Sequence, residues 1–280
     1  MDLTRFRQES RVLGHGGRTL FGRAALTLLV AALLSLFLLF VTIPVASLFM
    51  RISPEAFFSS LAEPVVLDAL SLSLITATVS TVLVVLFGTP LALVNARHDY
   101  RGREIVDTLT DLPIVLPPAV AGIALLMAFG RRGVIGQYLD VFGVHIAFTT
   151  LAVVLAQVFV ASPFYIRQAK ASFEAVDRLY EDAARTLGAS PWTVALRITI
   201  PLAWGGLVSG AILSFARALG EFGATIMFAG NFQGRTQTMP LAIYTTMQGD
   251  LDAAISLAII LVVISFAVIA AVKFVTRRNV

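Results

Sequence analysis

The 280-residue chain has no cysteine, three histidines, and only two lysines (Lys170 and Lys273) among its 21 basic residues. Without cysteine there is no thiolate nucleophile, no disulfide framework and no cysteine metal site. The lack says nothing about redox compartment. Charge is also scarce: Asp, Glu, Lys and Arg make up 14% of the chain, against about 25% in a soluble domain. No Gly-x-x-x-x-Gly-Lys-Ser/Thr run occurs, so there is no P-loop to bind ATP. A glycine period is missing, and the apolar content is too high for disorder.

What is present is apolar. Hydrophobic residues make up 58% of the chain and the mean hydropathy is +0.87. Such a chain does not have enough polar surface to cover itself in water, which leaves a polytopic, all-α membrane protein. A net charge of +4 would suggest nucleic acid in a soluble chain. Here basic loops beside a membrane account for it, and no nucleic-acid partner is expected.

Crossing the hydrocarbon core takes about 20 apolar residues at 1.5 Å each. Six stretches of 19 residues or more lack Asp, Glu, Lys and Arg: 24–50, 69–96, 112–130, 141–166, 198–216 and 253–272. Backbone amides in lipid must bond within their own segment, so six transmembrane helices are expected. The first run follows a basic tail (1–23). At 27 residues it exceeds the roughly 7–15-residue core of a signal peptide, so it reads as a retained span. With the N-terminus inside, sixteen Lys and Arg fall on the inner side and five, including Arg131, Arg132, Arg217 and Arg235, fall outside or at an outer span end. That places both termini in the cytoplasm. Charged residues avoid the span centres, which argues against proton or ion coupling. Pro113, Pro117 and Pro118 predict a bend or hinge at the start of the third span. His145 reads as interfacial. Gly206 and Gly210 form a small-residue ridge that faces either a second copy or another span of this chain.

The segment between spans four and five is not a plain connector. Phe173, Val176, Leu179, Tyr180, Ala183, Ala184 and Leu187 mark one face of a helix, and Glu174, Asp177, Arg178, Glu181, Asp182 and Arg185 the other. Gly188 stands at a C-terminal cap position. Ser190-Pro191 reads as an N-cap and first turn of a short second helix, and Pro201 marks the start of span five. An amphipathic pair of this kind either lies on headgroups or docks a soluble partner. The mixed charges of its polar face suit a protein surface better.

Asp182-Ala183-Ala184, three residues, Gly188, nine residues, and then Ile198-Thr199-Ile200-Pro201 resembles the EAA loop of ABC-importer permeases. That loop is written Glu-Ala-Ala, three residues, Gly, nine residues, Ile, one residue, Leu-Pro. Asp182 stands in for the glutamate and Ile200 for the leucine, and each keeps the character of the residue it replaces. The resemblance implies a type I ABC-importer permease core over 65–275. It also implies a coupling loop at 167–201 that inserts into a groove on a separate ATP-hydrolysing subunit through Asp182, Ala183, Ala184, Leu187, Gly188 and Ala189. Gly188 would be a corner where a side chain obstructs the fit, or simply a helix cap. The implied partners are two ATP-binding subunits, a second permease copy and a periplasmic or extracellular anion-binding protein. No cofactor, metal or catalytic residue is implied, and the chain is not itself an enzyme.

Farther on, Arg217-Ala-Leu-Gly-Glu-Phe-Gly-Ala-Thr225 and Thr236-Gln-Thr-Met-Pro-Leu-Ala-Ile-Tyr244 resemble the oxyanion branch of that family, molybdate permeases most of all, with sulfate and tungstate permeases next. Arg217 and Glu221 are four apart. They are either an ion pair that makes two charges tolerable or, with Gly223 and Thr225, part of an anion path or gate. Glycines at 220, 223 and 230 suggest close-packed backbone at the outer end. The expected function is ATP-driven, alternating-access import of an oxyanion. The alternatives are a sulfate, thiosulfate or tungstate permease, a passive six-span anion channel, and a membrane scaffold.

Overall fold

The computed structural model describes residues 3–61 and 63–277, without the side chains of 3–25, 56, 269 and 271–277. The basic side chains expected at 5–23 and 273–278 therefore lie outside what is described. Residues 1–53 form one unit and 54–280 a second. The first unit is a single helix, α1 (Leu3–Arg51), whose stretch Leu26–Arg51 has a mean hydropathy of 2.8.

The second unit contains helices and no strand among the described residues. In chain order it contains α2 (Pro54–Leu61), α3 (Pro64–Arg97), α4 (Arg103–Val115), α5 (Pro118–Phe129), α6 (Gly136–Val141), α7 (Thr150–Glu174), α8 (Arg178–Thr186) and α9 (Pro191–Val194). A π-turn at Ala195–Thr199 follows, then α10 (Ile200–Leu219), α11 (Gly223–Ala229), α12 (Met239–Thr246) and α13 (Leu251–Arg277). Five helices are long and apolar enough to cross a membrane, or six if the bent pair α4–α5 counts as one crossing.

At the core, α3 and α10 both pack on α7. Ser80 of α3 donates to the Val154 carbonyl (3.1 Å) and to Gln157 Oε1 (3.0 Å), and Arg97 farther along donates to the Val176 carbonyl (3.0 Å). The two helices therefore run parallel. Helix α10 runs the other way, with Gly206 against Ser172, Gly210 against Gln168 and Tyr165, and Ser214 Oγ donating to the Ala161 carbonyl (3.2 Å). Glycine matters here because the backbones approach so closely. A Cβ on Gly206 would stand 2.6 Å from Ser172 Cβ, and one on Gly88 2.9 Å from the Tyr165 ring. The Gly206/Gly210 ridge thus faces another span of the same chain. Close contact by small residues is the usual way to hold helices together in lipid, where burial gives no hydrophobic gain.

Two expected spans are corrected. The run 112–130 is not one helix: the bend expected at its prolines is there, and α4 and α5 meet at 117°. Pro117 and Pro118 withhold the amides that would continue α4, and α5, at 12 residues, reaches only about 18 Å of a roughly 30 Å core. The run 141–166 is displaced toward its C-terminus. Its first residues close α6 and turn through Gly143 (φ 72°), and α7 starts only at Thr150, where Thr149 caps it by accepting from the Ala152 amide. Helix α7 then continues past the charges to Glu174. Its Arg167 and Lys170 pair with Asp111 (2.6 Å) and Asp107 (2.7 Å) of α4, which offset their cost.

Replacing Gly206 with leucine should force α7 and α10 apart. Overpacking typically costs about 1–3 kcal/mol, so the midpoint of thermal unfolding of the detergent-solubilised protein is expected to fall measurably.

Candidate functional site

The segment expected to dock a partner is built from its caps upward. Asp177 caps α8 by accepting from the Leu179 amide (2.9 Å). At the far end Gly188 adopts φ 85°, the Gly188 amide donates to the Arg185 carbonyl (3.0 Å), and the Ala189 amide donates to the Ala184 carbonyl (3.0 Å). This is a complete Schellman turn, which closes the helix through a left-handed residue. A Cβ on Gly188 would touch nothing within 4 Å, so within this chain the glycine answers to backbone conformation and not to space. Ser190 then caps α9 by accepting from the Thr193 amide (3.2 Å).

The continuous amphipathic face expected over 173–187 divides in two. Phe173 and Val176 lie in the core beside Ala92, Ala96 and Tyr165, because α7 runs to Glu174 before the chain breaks at 175–177. Beyond the break Leu179, Tyr180 and Leu187 are exposed, Leu187 at 89%, as is Trp192 on α9. Asp182, Ala183 and Gly188 are exposed, and Ala184 and Ala189 half-buried. The short second helix is not separate either. It continues through the π-turn into α10, so Pro201 sits within an unbroken 29-residue helix.

Glu181, read from the sequence as part of the polar face, is the only buried residue of α8. Its Oε1 lies 2.8 Å from Arg97 Nη2, with both side chains no more than 8% exposed, and also accepts from Thr199 Oγ1 at 2.7 Å. Arg185 stands 3.7 Å from Oε2. Helical periodicity does not reveal this, because the partners come from the end of α3 and from the π-turn. Next to this cluster buried Asn95 donates to Asp107 (2.9 Å) and accepts from Tyr100 (2.6 Å), binding α4 to the same end of the molecule.

The second candidate site lies at a helix break. Helix α10 ends at Leu219 with Gly220 as its cap, and the chain resumes as α11. Glu221, 1% exposed, bridges the gap: Oε2 is 2.7 Å from Arg217 Nη2, and Oε1 accepts from the Ala224 amide (2.8 Å). The pair forms as expected, but not within one helix. Arg217 lies in the last turn of α10. Ser214 is level with Ala161, and the Phe228 carbonyl accepts from the Phe148 amide (3.3 Å) just before α7, so Arg217 and Glu221 fall within the length of α7. Gly223 lets α11 close on α5, since a Cβ there would stand 2.5 Å from Pro118 Cβ. Thr225 is fully buried and its hydroxyl has no partner.

At the end opposite α8, a cleft of about 440 Å³ is lined by Arg131, His145 and Arg235 together with Thr149 and Phe148. His145 Nδ1 lies 2.8 Å from Asp140. No group of three or more potential metal ligands occurs among the described residues.

Comparison with known proteins matches these features to a family. The model of the binding-protein-dependent transport system inner membrane component matches residues 85–279. The molybdenum transport system permease protein ModB of Mycobacterium tuberculosis is 48% identical over 232 residues, which cover 83% of this chain and 88% of that one. A probable molybdenum ABC transporter permease protein of Haloferax volcanii is 41% identical over 245 residues, 87% of each chain. Among solved structures, a bacterial alginate ABC transporter in complex with its alginate pentasaccharide-bound periplasmic protein superposes with a TM-score of 0.75 over 91% of this chain and 94% of that one; at 18% identity this speaks for the fold alone. The chain belongs to the inner-membrane components of binding-protein-dependent transport systems, as an all-α permease of the type I ABC-importer fold.

Proposed function

We propose that this permease imports a tetrahedral oxyanion, molybdate, by alternating access driven by ATP hydrolysis on a separate subunit. Support for molybdate comes from the ModB relative and from the stretches 217–225 and 236–244. In the complete machine two copies of the chain, with core 65–275, form the pathway. Two ATP-binding subunits sit on the cytoplasmic side and a binding protein delivers the anion from outside. Both termini and the basic tail 1–23 face the cytoplasm.

The observation that carries the coupling role is α8 itself, a capped helix that exposes Leu179 and Tyr180 in its first turn and Leu187 beside the left-handed turn that ends it. Large apolar side chains in that position are suited to burial in a groove on another protein. Asp182, Ala183, Ala184, Leu187, Gly188 and Ala189 form the contact. Closure of the two ATPase subunits carries the two α8 segments together and favours the outward-open state. Each partner shifts the equilibrium only by its difference in affinity for the two states. No bond is made or broken in this chain.

For the path, Arg217 supplies positive potential at the helix break and Glu221 holds it in place, with Gly223 and Thr225 forming the close-packed wall beside them. The basic cleft at Arg131, His145 and Arg235 suits the mouth that an anion meets first. Sulfate and tungstate are the rival cargoes.

Three outcomes are expected in proteoliposomes containing the ATPase subunits and binding protein. Uptake of labelled molybdate should be competed by tungstate and much less by sulfate; equal competition by sulfate would reassign the cargo. Leu187→Asp and Gly188→Trp should each lower uptake at least about tenfold, a typical coupling free energy. Because Leu187 is exposed, its substitution should leave unfolding within about 0.5 kcal/mol of the parent. Parental uptake in both would refute coupling through α8. Arg217→Met strands Glu221 and should destabilise the protein by about 1–3 kcal/mol, less than a fully buried pair because Arg217 is partly exposed. The double variant Arg217→Met/Glu221→Gln should recover the stability but not the uptake. Recovery of both would make the pair purely structural.

A further inference from the structure

We infer that Arg97 and Glu181 form the joint through which α8 moves the membrane helices; the inference rests on the coupling role proposed for α8. Nine residues of α8 project from the bundle, and only Glu181 is buried in it. On either side the chain is a poor lever. It breaks at 175–177 before the helix and turns through a left-handed glycine after it. A push on Leu187 or Tyr180 would rotate α8 about those two points unless something else fastened it.

Glu181 is that fastening. A single carboxylate oxygen takes Arg97 at 2.8 Å and Thr199 at 2.7 Å. Arg97 is the last residue of α3 and also donates to the Val176 carbonyl at 3.0 Å. Thr199 closes the π-turn that leads into α10. Glu181 therefore joins α8 to the end of α3 and the start of α10, and Arg97 adds the strip of chain preceding α8. Charge suits this purpose. A buried ion pair with hydrogen bonds is directional and costly to break, because the remaining charge is left without water. An apolar contact can slide where this one cannot. Arg97 and Glu181 are positioning residues: they touch neither cargo nor nucleotide.

The lack of cysteine in the chain allows a direct test. Thr186→Cys on α8 and Leu202→Cys on α10, both exposed, are spin-labelled, and the distance distribution is measured by pulsed electron resonance in the permease reconstituted alone. The same backgrounds are then assayed with the ATPase subunits and binding protein for anion taken up per ATP hydrolysed. Glu181→Gln and Arg97→Gln are expected to broaden the distribution and lower uptake per ATP about tenfold, within the range of measured coupling free energies, while ATP hydrolysis continues. Arg97→Lys keeps the charge and should stay near the parent. Thr199→Val removes only one hydroxyl donor and provides a folded variant even if the charge variants fail; it should give an intermediate width and a smaller loss.

A parental distribution in Glu181→Gln, or in Thr199→Val should the charge variants not fold, overturns the joint and leaves the coupling role of α8 intact. A broadened distribution with parental uptake per ATP also overturns the joint, and only parental uptake in Leu187→Asp and Gly188→Trp as well overturns the coupling role of α8.

Discussion

A helix that stops inside an apolar slab leaves amides and carbonyls that no water can reach, each a cost of several kcal/mol if left bare. The rest of this structure depends on how its interrupted helices meet that demand. Where α10 ends, Glu221 takes up the Ala224 amide and Arg217 neutralises it. Where α4 gives way to α5, proline occupies 117 and 118 and has no amide to satisfy. Thr149 caps α7 as the chain returns. Interruption at these points sets the geometry of the permease, since α5 and α11, the two short helices that result, pack on each other and on α7.

Around those breaks the uninterrupted helices form a stiff frame. Glycine and alanine bring α3, α7 and α10 close enough for polar groups to bond across the contact, as Ser80 does with Gln157 and Ser214 with the Ala161 carbonyl. Charge concentrates at the α8 end, where Asp107 and Asp111 of α4 meet Lys170 and Arg167 of α7. The frame and α8 are thus joined at one end of the molecule, and the discontinuous helices α5 and α11 pack on the other half of α7.

Much of this was legible in the sequence because its signals are local. Freedom from charge marks the long helices, and the spacing from Asp182 through Gly188 to Pro201 marks α8 and its turn. The misreadings share one physical cause. Hydropathy does not register a Gly143 turn or a Thr149 cap inside an apolar run, so it starts the fourth span too early, whereas the prolines at 117 and 118 do announce the 117° bend. Glu181 looked like another surface acid because helical periodicity knows only its own helix, whereas its partners are Arg97, 84 positions earlier, and Thr199, 18 later. Spacing pairs Arg217 with Glu221, but their level along α7 depends on how α10 lies against it, which only the packing of Ser214 and Phe228 reveals.

Because α8 buries only Glu181, the identities of Leu179, Tyr180 and Leu187 contribute little to the folding of this polypeptide. Such positions are free to drift as far as the protein's own stability is concerned. Any restraint on their variation has to come from outside the fold of this chain, whereas Glu181 is held by the fold itself through Arg97 and Thr199.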